Sequence, residues 1–159
     1  MATPLQSFYI VRFNDCDPLG HLNNARYIDY MLNAREDHLR DAYQILLPDF
    51  AKQGVTWVVT SHEIQYVRPA LYNEKVCIRS ALIEVGETYI TVEMTMYDEN
   101  AEQLKAVMWT TFTHINLKTG KREKHAVDFQ QFLAGVAAND IQLANGLKAR
   151  IGELLAALK

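Results

Sequence analysis

From Asn23 to about Leu46 the chain runs without a proline or a glycine, and this stretch constrains the fold more than any other feature. With Asn23 or Asn24 able to cap exposed amides at its start, it predicts one long helix. Its apolar residues Ala25, Ile28, Met31, Leu32, Leu39, Ala42 and Leu46 recur largely at steps of three and four, and Tyr27, Tyr30 and Tyr43 widen the apolar sector. A helix with so broad an apolar face needs a sheet wrapped around much of it.

Segments flanking the helix supply that sheet. Residues 8–14, FYIVRFN, mix aromatic and β-branched side chains and read as a strand that stops where Pro18 and Gly20 enforce a turn. Downstream, strands are expected at about 55–67, 75–85, 88–97 and 104–117. The clearest alternation sets Ile90, Val92, Met94 and Met96 against Tyr89, Thr91, Glu93 and Thr95, a period of two that buries one face. The polar DENAEQ segment then makes a hairpin. A strand, a long helix and a run of antiparallel strands is an α+β layout.

After the basic loop KTGKREKH, residues 127–136 and 141–158 read as one or two terminal helices. Leu143, Leu147, Ile151, Leu154 and Leu158 form one stripe, weakened by Gly146 and Gly152. The expected organisation is a single domain: residues 1–125 as its body and residues 126–159 as a helical extension of it. A chain of 159 residues is long enough to bury a core without disulfides.

Composition excludes several classes of function. The two cysteines, Cys16 and Cys77, make neither a disulfide framework nor a zinc site and point to a reducing cytoplasm. No apolar run is long enough to span a bilayer, and the N-terminus has no leader pattern, so a soluble protein without membrane association is expected. A net charge of -3 gives no general attraction to nucleic acid.

The densest chemistry lies in RFNDCDPLGHLNNARY, residues 12–27, which places two carboxylates, a thiol, an imidazole and two carboxamides on a turn entering the helix. The first amides of a helix have no intrahelical partner and the dipole there is positive, so such a junction stabilises an oxyanion. A carboxylate beside it supplies or activates a nucleophile.

The segment DCDPLGHLNNARYIDYMLNARE resembles the signature of hotdog thioesterases of the 4-hydroxybenzoyl-CoA thioesterase type: an Asp, a Gly three residues on, and a helix-opening Asn with a Tyr just inside the helix. IQYVRPALYNEKVCIRS resembles the family's strand, Arg-Pro-Ala turn and next strand, so the similarity covers about residues 8–117. It implies an antiparallel sheet curled round the long helix, and a homodimer or dimer of dimers with active sites between subunits. It also implies hydrolysis of an acyl-CoA without a cofactor or metal. The family's catalytic Asp maps onto Asp17 and its oxyanion-binding amide near Asn24; Gly20, His21, Asn23, Tyr27 and Met31 are then expected around the substrate. The GHLNN segment is similar to that of thioesterases acting on aliphatic acyl chains and of plant acyl-ACP thioesterases, so acyl carrier protein stands as an alternative carrier.

Other readings of these residues compete. Asp17 alone is an ordinary turn residue. Asp15 is expected to be structural, bonding loop amides. Cys16, flanked by two carboxylates, is a poor thiolate and reads as a packed small residue. His21 with Asp15 and Asp17 suggests a metal, but His38, His62, His114 and His125 show no ligand spacing. DCDPL also resembles the aspartyl nucleophile of the haloacid dehalogenase class, which needs a longer alternating α/β chain and a downstream acidic pair. His62 and Glu63 alternate onto opposite faces of a strand. Lys118, Lys121, Arg122 and Lys124 suit CoA phosphates or an ordinary solvated turn equally. A hotdog dehydratase would require histidine motifs that are absent, and a non-catalytic acyl-CoA binding module is the rival from outside enzymology.

Overall fold

The computed structural model describes residues 4–159. Strands β1 (Leu5–Ile10), β2 (Val55–Tyr66), β3 (Lys75–Val85), β4 (Tyr89–Asp98) and β5 (Leu104–Asn116) form one antiparallel sheet in the order β1-β3-β4-β5-β2. The helices are α1 (Arg26–Tyr43), α2 (Leu47–Lys52), α3 (Val127–Val136) and α4 (Gly146–Ala157). The hotdog layout expected from the sequence is therefore present, with α1 packed on the inner face of the sheet. Among the described residues no helix is long and apolar enough to cross a membrane.

The inner core joins Tyr27, Met31 and Ala34 of α1 to Val76, Ile78 and Leu82 of β3, Val92, Met94 and Met96 of β4, and Ala106 and Met108 of β5. The strand residues alternate along each strand, as the pleat requires. The long helix ends earlier than its apolar pattern suggests. Gln44 adopts a left-handed conformation, φ 55°, and its amide bonds the carbonyls of Arg40 and Leu39. Pro48 then sits in the first turn of α2, where its missing N–H costs nothing. The first strand is also displaced, because residues 13–15 form a 3₁₀ turn instead of continuing it.

The alternation in β4 predicts one buried face, and the structure buries both. The second face is covered because Ile141 and Leu147 pack, with Ile151, Leu154 and Leu158, against Cys77, Ile83, Val107 and Trp109. Polar β4 residues are thereby sealed in, and Glu93 is satisfied by partners. Its carboxylate accepts bonds from Arg150 at 2.8 and 2.9 Å and from the Trp109 indole at 3.0 Å. Losing one partner of such a buried pair costs far more than the pair contributes, so Glu93 and Arg150 specify where α4 docks.

A second buried polar chain ties α1 to the first strands. His38 is 3% exposed; its Nε2 lies 2.8 Å from Ser7 Oγ and its Nδ1 2.6 Å from Ser80 Oγ. Burial, then the neighbouring Arg35 charge, lowers its pKa to about 4. An unfolded histidine protonates near pH 6.5, so the unfolded chain takes up a proton that folded His38 refuses. Stability should be insensitive to this group above about pH 6.5, fall as pH drops towards 4, and then level off. Urea unfolding measured between pH 7.5 and 4.5 should show this decline in the wild type, by a few kcal/mol at about 1.4 kcal/mol per pKa unit. His38→Gln should flatten the slope; identical slopes in the two proteins would refute the assignment.

Candidate active site

Residues 17–21 close on themselves before the chain enters α1. The Asp17 amide donates to the His21 carbonyl at 2.8 Å, and the Gly20 amide donates to the Asp17 carbonyl at 3.0 Å. Gly20 takes φ 77°, and a Cβ at this position would meet no atom within 4 Å, so the demand for glycine there comes from the left-handed backbone and not from crowding. The loop is stitched to the segment after β2: Leu22 N–H donates to Ala70 O and Tyr72 N–H to Gly20 O, both at 2.8 Å.

Within this loop Asp17 Oδ1 accepts the amides of Leu19 at 2.9 Å and His21 at 3.1 Å. Among the described residues Asp17 Oδ2 has no hydrogen-bond partner. One oxygen thus fixes the carboxylate while the other is available to a ligand. Asp17 is half-buried and lines a cleft of about 270 Å³ with His21, Leu22, Asn24, Tyr27, Tyr66, Val67, Arg68 and Pro69.

The start of α1 forms one wall. Asn23 Oδ1 accepts the Ala25 amide at 3.1 Å, and Asn23 O accepts the Arg26 amide at 2.8 Å. Asn23 is therefore the residue that closes the entry turn, although the residue immediately before the helix, Ala25, offers no side-chain cap. The Asn24 amide has no acceptor among the described residues, while the Asn24 carbonyl accepts the Tyr66 hydroxyl at 2.7 Å. An open N–H at a positive helix end beside a carboxylate can receive a carbonyl oxygen that gains negative charge.

Of the residues expected at the substrate, Asp17, His21, Asn24 and Tyr27 line this cleft. Gly20 and Asn23 shape the loop and the helix entry. Met31 is placed differently: it has no exposed surface and belongs to the core beneath the helix, so it does not reach the cleft. Tyr27 is almost wholly buried and its hydroxyl accepts the Ala70 amide at 2.9 Å, with burial as the main cause of its raised pKa. The Asp15 carboxylate accepts the Tyr30 hydroxyl at 2.6 Å, a partner on α1 in place of the loop amides expected from the sequence. Burial and this bond push Tyr30 up to about 12. The Cys16 thiol is pushed up by desolvation and then by Asp15 and Asp17, against a role as a nucleophile.

Tyr66, Val67, Arg68 and Pro69 complete the cleft and are not expected in it from the residues near Asp17. Their signal is the IQYVRPALYNEK segment, whose turn delivers them from the end of β2. His62 and Glu63 are exposed on β2 and do not line the cleft. The loop carrying Lys118, Lys121, Arg122 and Lys124 follows the far end of β5, and Lys124 faces Glu87 at 3.6 Å on the surface.

A larger, apolar cavity of about 320 Å³ lies further along α1. Leu32, Leu39 and Tyr43 of the helix, Phe50 of α2, Trp57 and Val59 of β2, and Phe129 and Phe132 of α3 are among its walls. Its size falls at the lower end of small-molecule sites.

The profile of the Thioesterase-like superfamily matches residues 11–138. The long-chain acyl-CoA thioesterase FadM of Escherichia coli (strain K12) is 30% identical over 119 residues, which are 74% of this chain and 87% of FadM. Among solved structures, YbaW, a probable thioesterase from Escherichia coli, superposes with a TM-score of 0.73 at 26% identity, covering 84% of this chain and 99% of that one. A DHNA-CoA thioesterase from Staphylococcus aureus superposes with a TM-score of 0.76 at 19% identity, covering 84% and 90%, and shares the fold.

The loop bonds make a prediction separate from catalysis. Asp17→Asn keeps a side-chain oxygen for the amides of Leu19 and His21, whereas Asp17→Ala leaves both without it. Thermal or urea unfolding should show Asp17→Ala destabilised by about 1 kcal/mol relative to Asp17→Asn. Equal stability of the two variants would mean that these bonds do not hold the loop.

Proposed function

Because the chain belongs to the Thioesterase-like superfamily, we propose that it hydrolyses an acyl-CoA to a free carboxylic acid and CoA, with Asp17 as the catalytic carboxylate. The observation that carries this reading is the placement of Asp17: one oxygen is tied to two loop amides, the other has no hydrogen-bond partner among the described residues, and Asp17 lines a cleft that Asn24 also lines. The thioester carbonyl oxygen lies against that amide. Asp17 either takes a proton from water as the water oxygen attacks the carbonyl carbon, or attacks directly to form an anhydride that water then cleaves. In both routes the C–S bond breaks and CoA leaves as a thiolate that is protonated. Arg68, exposed at the cleft rim, is placed to meet the CoA phosphates.

The sheet supports a homodimer. β2 is an edge strand, long and largely exposed, with Val58 39% and Val59 41% accessible. An open edge of this kind invites pairing. Two copies joined antiparallel through β2 bring the start of one strand beside the end of the other. The cavity flanks the start of β2 and the Asp17 cleft flanks its end, so each cleft opens towards the partner's cavity. The outer face of the sheet is occupied by α4, which favours a dimer over stacking of dimers through that face. Two free thiols suit a reducing cytoplasm.

Asp17→Asn should lower the rate of thiol release from acyl-CoA by two or more decades in a folded protein, the scale expected for loss of a general base or nucleophile. Asp15→Asn, which changes the neighbouring charge equally, should keep most of the activity. Near-normal turnover by Asp17→Asn, or abolition by Asp15→Asn alone, would overturn the assignment. Lysines at both Val58 and Val59 should convert a dimer into a monomer in light scattering and reduce turnover more than tenfold; a fully active monomer would refute the edge-paired assembly.

A further inference from the structure

The apolar cavity is lined by a buried cation that a plain hydrocarbon chain does not need. Arg35, on the buried face of α1, is 7% exposed and lines the cavity. Among the described residues no carboxylate lies within ion-pair distance of it, and its one hydrogen bond runs from Nη1 to Ser80 Oγ at 2.8 Å. Ser80 is itself 4% exposed and already engaged with His38 Nδ1 at 2.6 Å. Among the described residues that are not exposed, every side-chain nitrogen or oxygen sealed from open space has a partner. Arg35 Nε and Nη2 have none, so they keep access to open space, and for this residue that space is the cavity.

The geometry points to an acyl group that carries a second carboxylate at its far end, with Arg35 as the residue that selects it. This rests on the thioesterase reading above and names its substrate class. Bond formation to Ser80 uses Nη1 and leaves the Nε–Nη2 edge, the edge of a guanidinium whose two parallel N–H groups match the two oxygens of a carboxylate. Burial lowers the Arg35 pKa to about 10, so the side chain remains a cation at neutral pH. Because it is already desolvated by folding, a ligand carboxylate finds its partner pre-organised, which offsets much of the cost of its own removal from water. A hydroxyl or ketone gains only part of this, since it accepts a bond without neutralising the charge.

The position also suits the reaction. Arg35 is eight residues beyond Tyr27 on α1, a rise of about 12 Å, so it stands clear of its own subunit's Asp17 loop, and in the edge-paired dimer an acyl chain held at the partner's cleft is the one that reaches it. Leu32, Leu39, Ile90, Phe112 and Phe132 supply apolar wall of the same cavity. Glu36 also borders the cavity, but it is exposed at the rim.

The test is a steady-state comparison of dodecanoyl-CoA with its ω-carboxy counterpart. The wild type should favour the ω-carboxy thioester at least tenfold in kcat/KM, mainly through KM. Arg35→Met, similar in length and apolar, should lose that preference while still hydrolysing dodecanoyl-CoA; Arg35→Lys should retain charge but not the fork and fall between. A wild type that prefers the plain chain, or an unchanged preference in Arg35→Met, would overturn the proposal, as would a stronger preference for an ω-hydroxy chain. A binding arm needs neither turnover nor a folded variant: fluorescence of Trp57, which lines the cavity, should report at least tenfold tighter binding of dodecanoate than of dodecanol to the wild type. Equal binding would refute the site. No hydrolysis of any thioester, with dodecanoate still favoured, would refute the thioesterase reading and leave the Arg35 site standing.

Discussion

The site depends on how Ala70 is held. Its amide donates to the Tyr27 hydroxyl at 2.9 Å and its carbonyl accepts the Leu22 amide at 2.8 Å. One residue after the Arg68–Pro69 turn thereby fixes both the first turn of α1 and the last part of the Asp17 loop. Ala70 is fully buried, so neither bond can be replaced by water without cost. The Tyr27 ring, packed edge-on against Tyr66 with centroids 5.0 Å apart, makes the same connection through apolar contact. Loop, helix and strand end are positioned as one unit, which is what a carboxylate and an amide acting on the same carbonyl require.

Polar groups inside this protein act mainly as locators. Glu93 and Arg150 fix α4 on the outer face, and Ser7, His38 and Ser80 fix the middle of α1 against β1 and β3. Apolar packing supplies most of the driving force for burial but tolerates small slides of one element over another. Directional bonds in a low-dielectric interior do not, because a displaced partner leaves a buried group unsatisfied. Arg35 belongs to this network on one side and faces the cavity on the other, so the scaffold that positions α1 also carries a charge into the space beside it.

The inner half of this molecule is readable in its sequence and the outer half much less so. The period of α1 and the alternation of β4 are strong local signals, and the inner core joins the residues they mark, Met31, Val92, Met94 and Met96. Burial of Thr91, Glu93 and Thr95 is hidden, because it depends on where residues some fifty positions later come to rest. α2 escapes recognition since it is short and begins at Leu47 with Pro48 in its first turn. At the site, Asp17, His21, Asn24 and Tyr27 lie close together in sequence and are legible together. Tyr66 and Arg68 reach the cleft only through tertiary structure. Arg35 gives no sign at all: in a helix rich in charged residues it looks like any solvated arginine until its neighbours are known.

Distance between cleft and cavity bears on how such a protein is tuned. Asp17 and Asn24 lie on a loop and helix entry whose bonds run to residues 19–26 and 66–72, and none of those residues lines the larger cavity. Cavity walls come instead from the later turns of α1, from α2 and α3, from the first half of β2, and from Leu82 of β3, Ile90 and Val92 of β4 and Phe112 of β5. Substitutions in the walls can therefore reshape the space offered to an acyl chain without moving the carboxylate. The reverse also holds: anything that loosens Ala70 disturbs the reacting groups while leaving the cavity intact. Since discrimination by apolar contact alone yields only about 1–3 kcal/mol per methylene, a cavity that must distinguish chain ends sharply gains far more from one buried cation with spare donors than from further refinement of its fit. Arg35 is that group in this protein.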